Sequence, residues 1–169
     1  MPAPLVLVMG VSGAGKSTLG AMLAAALGLA FADADAFHPP ANVAKMAAGQ
    51  PLTDADRWPW LDAIGAWLDA QGDAGGVVTC SALKRIYRAR LLGSRPAVRL
   101  IHLHGAPALI GARQAARAGH FMPPSLMASQ FATLEPPAPE EGAIILSVVP
   151  APDQVLRAAL AALRGDAAC

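Results

Sequence analysis

The run GVSGAGKST, from Gly10 to Thr18, constrains the fold of this chain more than any other stretch. It follows the continuous apolar segment LVLVMG and precedes Leu19, Met22, Leu23, Ala26 and Leu27, which recur at helical spacing before Gly28 offers a stop. Strand, glycine-rich turn and helix therefore come in that order. Gly10, Gly13 and Gly15 let the backbone turn tightly around an anion, and Ala14 costs the cradle little because backbone N–H groups make it. Lys16 reaches the β- and γ-phosphates of a nucleotide, Ser17 offers its hydroxyl to Mg²⁺, and Thr18 closes the loop. The pattern G-x-x-x-x-G-K-[ST] is specific in this strand-to-helix context. It does not say which molecule receives the phosphoryl group.

The rest of the chain repeats the alternation. A second buried strand through LAFAD ends at Asp33, and NVAKMAAG reads as a short helix closed by Gly49. TDADRWPWLDAIGAWLDAQG carries Thr53 as a candidate cap, an apolar stripe, and Pro59 as a kink or restart. Then come strand GVVTCS, a helix from Ala82 to Leu92, strand VRLIHLHG, helices from Pro107 and within PPSLMASQFATL, strand AIILSVV, and a helix from Asp153 to Leu163. Such alternation predicts an α/β fold, a parallel sheet covered on both faces with ligands at the carboxyl ends of its strands. The segment from Glu135 to Gly142, EPPAPEEG, is expected to be mobile.

With 169 residues, one domain is expected over residues 1–169, with a lid over about 113–130. The formal net charge of +1 and the charged fraction of 15% give no strong field toward nucleic acid or an anionic membrane. The longest uncharged run, Leu19 to Ala32, falls short of the ~18 residues of a membrane span. A cytoplasmic location is expected, because a leader cleaved from the N-terminus would take the phosphate loop with it. Cys80 and Cys169 form no disulfide framework or metal-ligand spacing, and His102 and His104 lack the further ligands a zinc site needs.

Asp33 and Asp35, two apart on an extended chain, are expected to face one side, toward the phosphate loop. One can orient Mg²⁺ through its waters while the other accepts a proton from an attacking hydroxyl. His38, Arg57, Lys84 and Arg88 are candidates for an anionic acceptor, since arginine suits a planar carboxylate. Arg113, Arg117 and His120 follow at helical spacing and lead to a glycine-containing tip, as a lid that brings charge to ATP would.

In combination, the blocks LVLVMGVSGAGKST, DADAFHPPANVAKMAAGQPLTDADRWPWL, CSALKRIYRARL and ARQAARAGHFMPPSLMASQFATLEPP resemble the bacterial gluconate kinases of the P-loop type over most of the chain. The resemblance implies ATP- and Mg²⁺-dependent phosphorylation of D-gluconate at its 6-hydroxyl. It also implies a three-layer fold like that of nucleoside monophosphate kinases, with a five-stranded parallel sheet and a helical lid, and it favours a homodimer. Carried onto this chain, Gly10, Gly13, Ala14, Gly15, Lys16, Ser17 and Thr18 fall in the ATP phosphate site. Arg113 looks like the adenine-stacking arginine, and Arg117 and His120 like lid groups. Asp35 is assigned to the acceptor hydroxyl, and Asp33 with Ser17 to the metal, the former through water. His38, Arg57, Lys84 and Arg88 are assigned to gluconate. A related kinase for shikimate or another sugar acid, and an inactive ATP-binding regulatory module, are the alternatives. Ala106 after HLHG and the lack of an aspartate in ILSVVPAP depart from the family pattern on the adenine side.

Overall fold

A computed structural model describes residues 2–116 and 124–165. The elements run β1 (Leu5–Met9), α1 (Lys16–Leu27), β2 (Ala30–Asp33), α2 (Pro40–Ala47), α3 (Asp54–Gln71), β3 (Gly76–Thr79), α4 (Arg85–Leu92), β4 (Val98–His104), α5 (Pro107–Ala116), α6 (Pro124–Thr133), β5 (Ile144–Ser147) and α7 (Pro152–Gly165). The five strands form one parallel sheet in the order β2-β3-β1-β4-β5. β1 sits at its centre, where the winding reverses, so the loop that leaves its carboxyl end opens into the crevice where such sheets bind ligands.

Alternation along β1 builds two cores. Val6 and Val8 pack with Leu19 and Leu23 of α1, Ile110 of α5, Met127 of α6 and Val155 of α7. Leu7 and Met9 face the other way, onto Leu61, Ile64 and Leu68 of α3 and Leu91 of α4. Successive strand residues point to opposite faces, so a central strand buried on both sides reads as an unbroken apolar run. The expected three-layer architecture with a five-stranded parallel sheet is what forms.

Four local expectations need correction. β2, expected to be buried, is an edge strand with Ala30 and Phe31 exposed. α3 does not restart at Pro59 but continues through it as one helix, losing the single i→i−4 bond that the missing N–H would have made. The helix expected from Ala82 begins at Arg85, since Ala82 takes a left-handed φ of 47° and Lys84 is still extended. The segment from Glu135 to Gly142 is tied down: Glu135 N donates to Leu83 O at 2.7 Å, and a 3₁₀ turn over Pro139–Glu141 presents Glu141 to a buried arginine. The predicted cap on α3 is present, with Thr53 and Asp56 forming a reciprocal capping box.

Candidate active site

The phosphate loop spans the gap between β1 and α1. Gly10 and Gly13 have φ of 153° and 85°. A Cβ at Gly10 would lie 2.8 Å from the Leu103 carbonyl oxygen, and one at Gly13 would lie 2.7 Å from Gln114 Oε1. Both positions therefore need glycine for conformation and for space. Lys16 Nζ donates to the carbonyl oxygens of Gly10 and Val11 at 2.9 and 3.0 Å, so the ammonium folds back along the loop. Burial holds Lys16 below its ordinary value, and the charges around Cys80, Asp33 and Asp35 oppose that shift. The carboxylates at the end of β2 thus lie within electrostatic reach of the loop lysine, as expected.

Ser17 Oγ donates to Asp33 Oδ2 at 2.6 Å. This places two hard oxygens side by side at the carboxyl edge of the sheet, a donor pair that suits Mg²⁺. Asp33 and Asp35 do not share an extended strand, however. Asp33 ends β2 and caps a 3₁₀ turn over Ala34–Phe37, accepting from Asp35 N at 3.2 Å. The turn sets the two carboxylates apart: Asp33 is held by Ser17 and by its own cap, and Asp35 is exposed.

The far wall of the crevice is built by α2, the start of α3 and the entrance to α4. His38 stacks on Trp60 with ring centroids 4.4 Å apart, and Trp60 Nε1 donates to Ala34 O at 2.8 Å. Asn42, buried, reaches His38 Nδ1 at 3.3 Å and donates to Asp56 O at 2.9 Å. With the amide donating to Nδ1, the neutral ring carries its proton on Nε2. Burial lowers the His38 value, Arg57 lowers it further and Asp35 opposes them, so the ring is neutral at neutral pH. Arg57 and Lys84 both stand over the Tyr87 ring, at 5.4 and 5.6 Å from its centroid. Asp54 accepts from Lys84 Nζ at 3.2 Å and from the Tyr87 hydroxyl. Two cations, a phenol and a carboxylate therefore cluster where the start of α3 meets the entrance to α4.

Arg88 does not join them. It is 2% exposed, and its guanidinium bonds Glu141 through Nε and Nη2, the Ala82 and Leu83 carbonyls through Nη1, and the Glu135 carbonyl through Nη2. Those bonds use all five donors. The expectation that Arg88 binds the acceptor is corrected: it supports the loop that carries Lys84 from behind. Arg113 does face the nucleotide side, donating to the Val148 and Val149 carbonyls beside a cavity of about 340 Å³. Gly13, Gly15, Thr18, Pro150 and Pro152 line the same cavity, which suits a purine base and ribose at the loop's back. Arg117 and His120 lie outside the described residues. A larger cavity, about 730 Å³, sits at the amino ends of the strands, away from the phosphate loop and the aspartates, and carries none of this chemistry.

Sequence reasoning missed Tyr87 and Asp54, which the structure packs with Arg57 and Lys84. Asp54 stands three residues before Arg57, on the same helical face, which was the available signal; Tyr87 is one residue before an arginine that drew attention for its charge. His102 is buried and held down to about 4, chiefly by burial, consistent with a packed imidazole. Among the described residues no cluster of His, Cys, Asp and Glu is arranged to hold a metal by itself, and no helix is long and apolar enough to cross a membrane.

Comparison with known proteins places this geometry. A family model described as shikimate kinase matches residues 12–62. A gluconokinase of Gluconobacter oxydans is 50% identical over 153 residues, covering 89% of this chain and 86% of the relative. A probable gluconokinase of Rattus norvegicus is 43% identical over 180 residues, covering 95% and 97%. The crystal structure of a gluconokinase from Sinorhizobium meliloti superposes with a TM-score of 0.88 at 45% identity, covering 96% of this chain and 92% of that one.

Proposed function

Since the chain belongs to the gluconokinase family of P-loop kinases, we propose that it transfers the terminal phosphoryl group of ATP to the 6-hydroxyl of D-gluconate, releasing 6-phosphogluconate and ADP. One observation carries the reading: Asp35 lies within electrostatic reach of both the loop lysine and His38, and His38 within reach of Arg57, which with Lys84 flanks Tyr87. A sugar acid needs one or two cations for its carboxylate and paired donors and acceptors for its hydroxyls, and this cluster supplies both.

The loop N–H groups and Lys16 hold the phosphates, and the cavity beside Arg113 takes the base. Ser17 and, through water, Asp33 would hold Mg²⁺, which would supply charge neutralisation at the phosphates. Asp35 accepts the proton of the attacking hydroxyl. His38, with Nε2–H outward, donates to an acceptor hydroxyl, and Arg57 and Lys84 hold the carboxylate. Arg117 and His120 belong to a lid over about residues 113–130, assigned by resemblance, that excludes water during transfer. The site of action is the cytoplasm, where ATP is supplied.

The test is Mg²⁺-dependent ADP production from ATP by the purified protein with D-gluconate, shikimate, other sugar acids or no acceptor. Stimulation by gluconate, with 6-phosphogluconate as product, is the expected result. Tight ATP binding with no response to any acceptor would overturn the kinase reading, and preference for shikimate would overturn the acceptor.

A further inference from the structure

The Val11–Ser12 peptide is gripped on both of its polar sides. Its carbonyl accepts from Lys16 Nζ at 3.0 Å and from Ala14 N at 3.2 Å. Its N–H donates to Oε1 of Gln130, on α6, at 2.6 Å. This contact joins residues 118 apart in sequence, so the local propensity of the loop cannot produce it. The neighbouring helix presents a second glutamine: Gln114 of α5 is 8% exposed and sets its Oε1, without a hydrogen-bond partner, against Gly13. Two amide oxygens from two helices therefore face successive residues of the loop, at the end where the lysine ammonium lies.

We infer that Gln130 is a positioning residue for phosphoryl transfer, holding the Val11–Ser12 peptide plane so that its carbonyl seats the Lys16 ammonium against the transferred phosphoryl group. The inference rests on the kinase reading and extends it to a residue that touches no acceptor group. A peptide plane has one free rotation, about the bonds at its two ends. When Gln130 holds the N–H, the carbonyl opposite is aimed at Lys16. Removing that acceptor leaves the plane held only through its carbonyl, by Ala14 N at 3.2 Å, so the Val11 carbonyl can tilt away from Lys16 and the Gly10 carbonyl is left as the firmer partner. A misplacement of about 1 Å in a group that stabilises transferred charge costs on the order of 10²-fold in rate.

Two substitutions separate positioning from simple attachment of α6. Gln130→Ala removes the acceptor. Gln130→Glu keeps an acceptor for Ser12 N–H, and a stronger one, but adds negative charge beside the terminal phosphate. For Gln130→Ala we expect kcat with D-gluconate to fall roughly 10- to 100-fold while KM for gluconate is unchanged. For Gln130→Glu we expect a melting temperature at least that of the wild type, with Mg·AMPPNP binding weakened and Mg·ADP binding retained, because ADP lacks the phosphate that meets the new charge. Binding of both nucleotides is measured by titration calorimetry, which needs no acceptor. If wild-type protein ignores gluconate but answers another acceptor, only the acceptor changes and kcat is read with that acceptor; if it answers none, the kinase reading fails by itself, and the AMPPNP-to-ADP preference still decides whether Gln130 lies at the terminal phosphate. A wild-type kcat in Gln130→Ala, or equal weakening of both nucleotides in Gln130→Glu, would overturn the inference.

Discussion

Replacing Glu141 by glutamine tests whether Arg88 is a strut or a substrate ligand. Glu141 takes two of the guanidinium's bonds, at 2.7 and 3.2 Å, and its side chain is 13% exposed while that of Arg88 is 2% exposed. Glu141→Gln would keep the shape and leave a buried cation without its counter-charge. Breaking one side of a buried pair costs about 3–5 kcal/mol, and a chain of this size loses roughly 2–4 °C in Tm per kcal/mol, so a fall of about 6–20 °C is expected. The loss should also depend on pH. Arg88, first among the causes, holds Glu141 below its ordinary 4.5, so between that value and the folded one the unfolded chain binds more protons. The pair's stabilisation is present in full above pH 4.5 and is lost as pH falls through the folded value. Calorimetric melting of wild type and E141Q across this range measures both, together with KM for gluconate at a temperature where each is folded. A melting temperature within a degree or so of wild type, combined with a large rise in KM, would refute the strut and return Arg88 to the acceptor site.

Asp35→Asn should lower turnover on the order of 10²- to 10⁴-fold with Mg·AMPPNP affinity retained; collapse of nucleotide binding with turnover per bound nucleotide intact would move Asp35 to the nucleotide side. Asp56, pulled down to about 2 first by the Lys45 hydrogen bond and then by Thr53 N, supports the cap of α3 in full above pH 3.8 and loses that support as pH falls toward 2. The melting-temperature gap between wild type and Asp56→Asn should close over that window, and a gap independent of pH would contradict it. Gln114→Met replaces an unpartnered buried oxygen by an apolar side chain of similar length, so the nucleotide-free protein should melt higher, by an amount corresponding to about 1–3 kcal/mol. A lower melting temperature would mean that the oxygen is satisfied in solution.

What could be read from the chain follows from how local each signal is. The phosphate loop, the alternating elements and the cap at Thr53 lie within short windows, where periodicity and capping chemistry operate. That the end of β2 would face the phosphate loop followed from strand-end and loop positions, whereas the choice of Asp33 over Asp35 beside Ser17 came from the resemblance. The turn between Asp33 and Asp35 followed from neither, because an aspartate that caps its own neighbour looks the same in sequence as one in a strand. Arg88 and Lys84 are both basic residues near one helix start, and only burial distinguishes them: Arg88 meets Glu135 and Glu141, about fifty positions away, while Lys84 meets the crevice. Gln130 falls inside a block that carries the family resemblance, but it has no charge to announce a role, so its contact with the loop emerges only when α6 packs against the sheet.

The split of the core by the central sheet has a consequence for descent. Side chains on one face back the phosphate loop and the base cavity through α1, α5, α6 and α7, while those on the other back the acceptor wall through α3 and α4. A substitution that reshapes the acceptor wall falls on one layer, at positions that share few partners with the other, and sites so separated change nearly independently. Lineages built on this scaffold can therefore exchange the molecule that receives the phosphoryl group while inheriting intact the apparatus that delivers it.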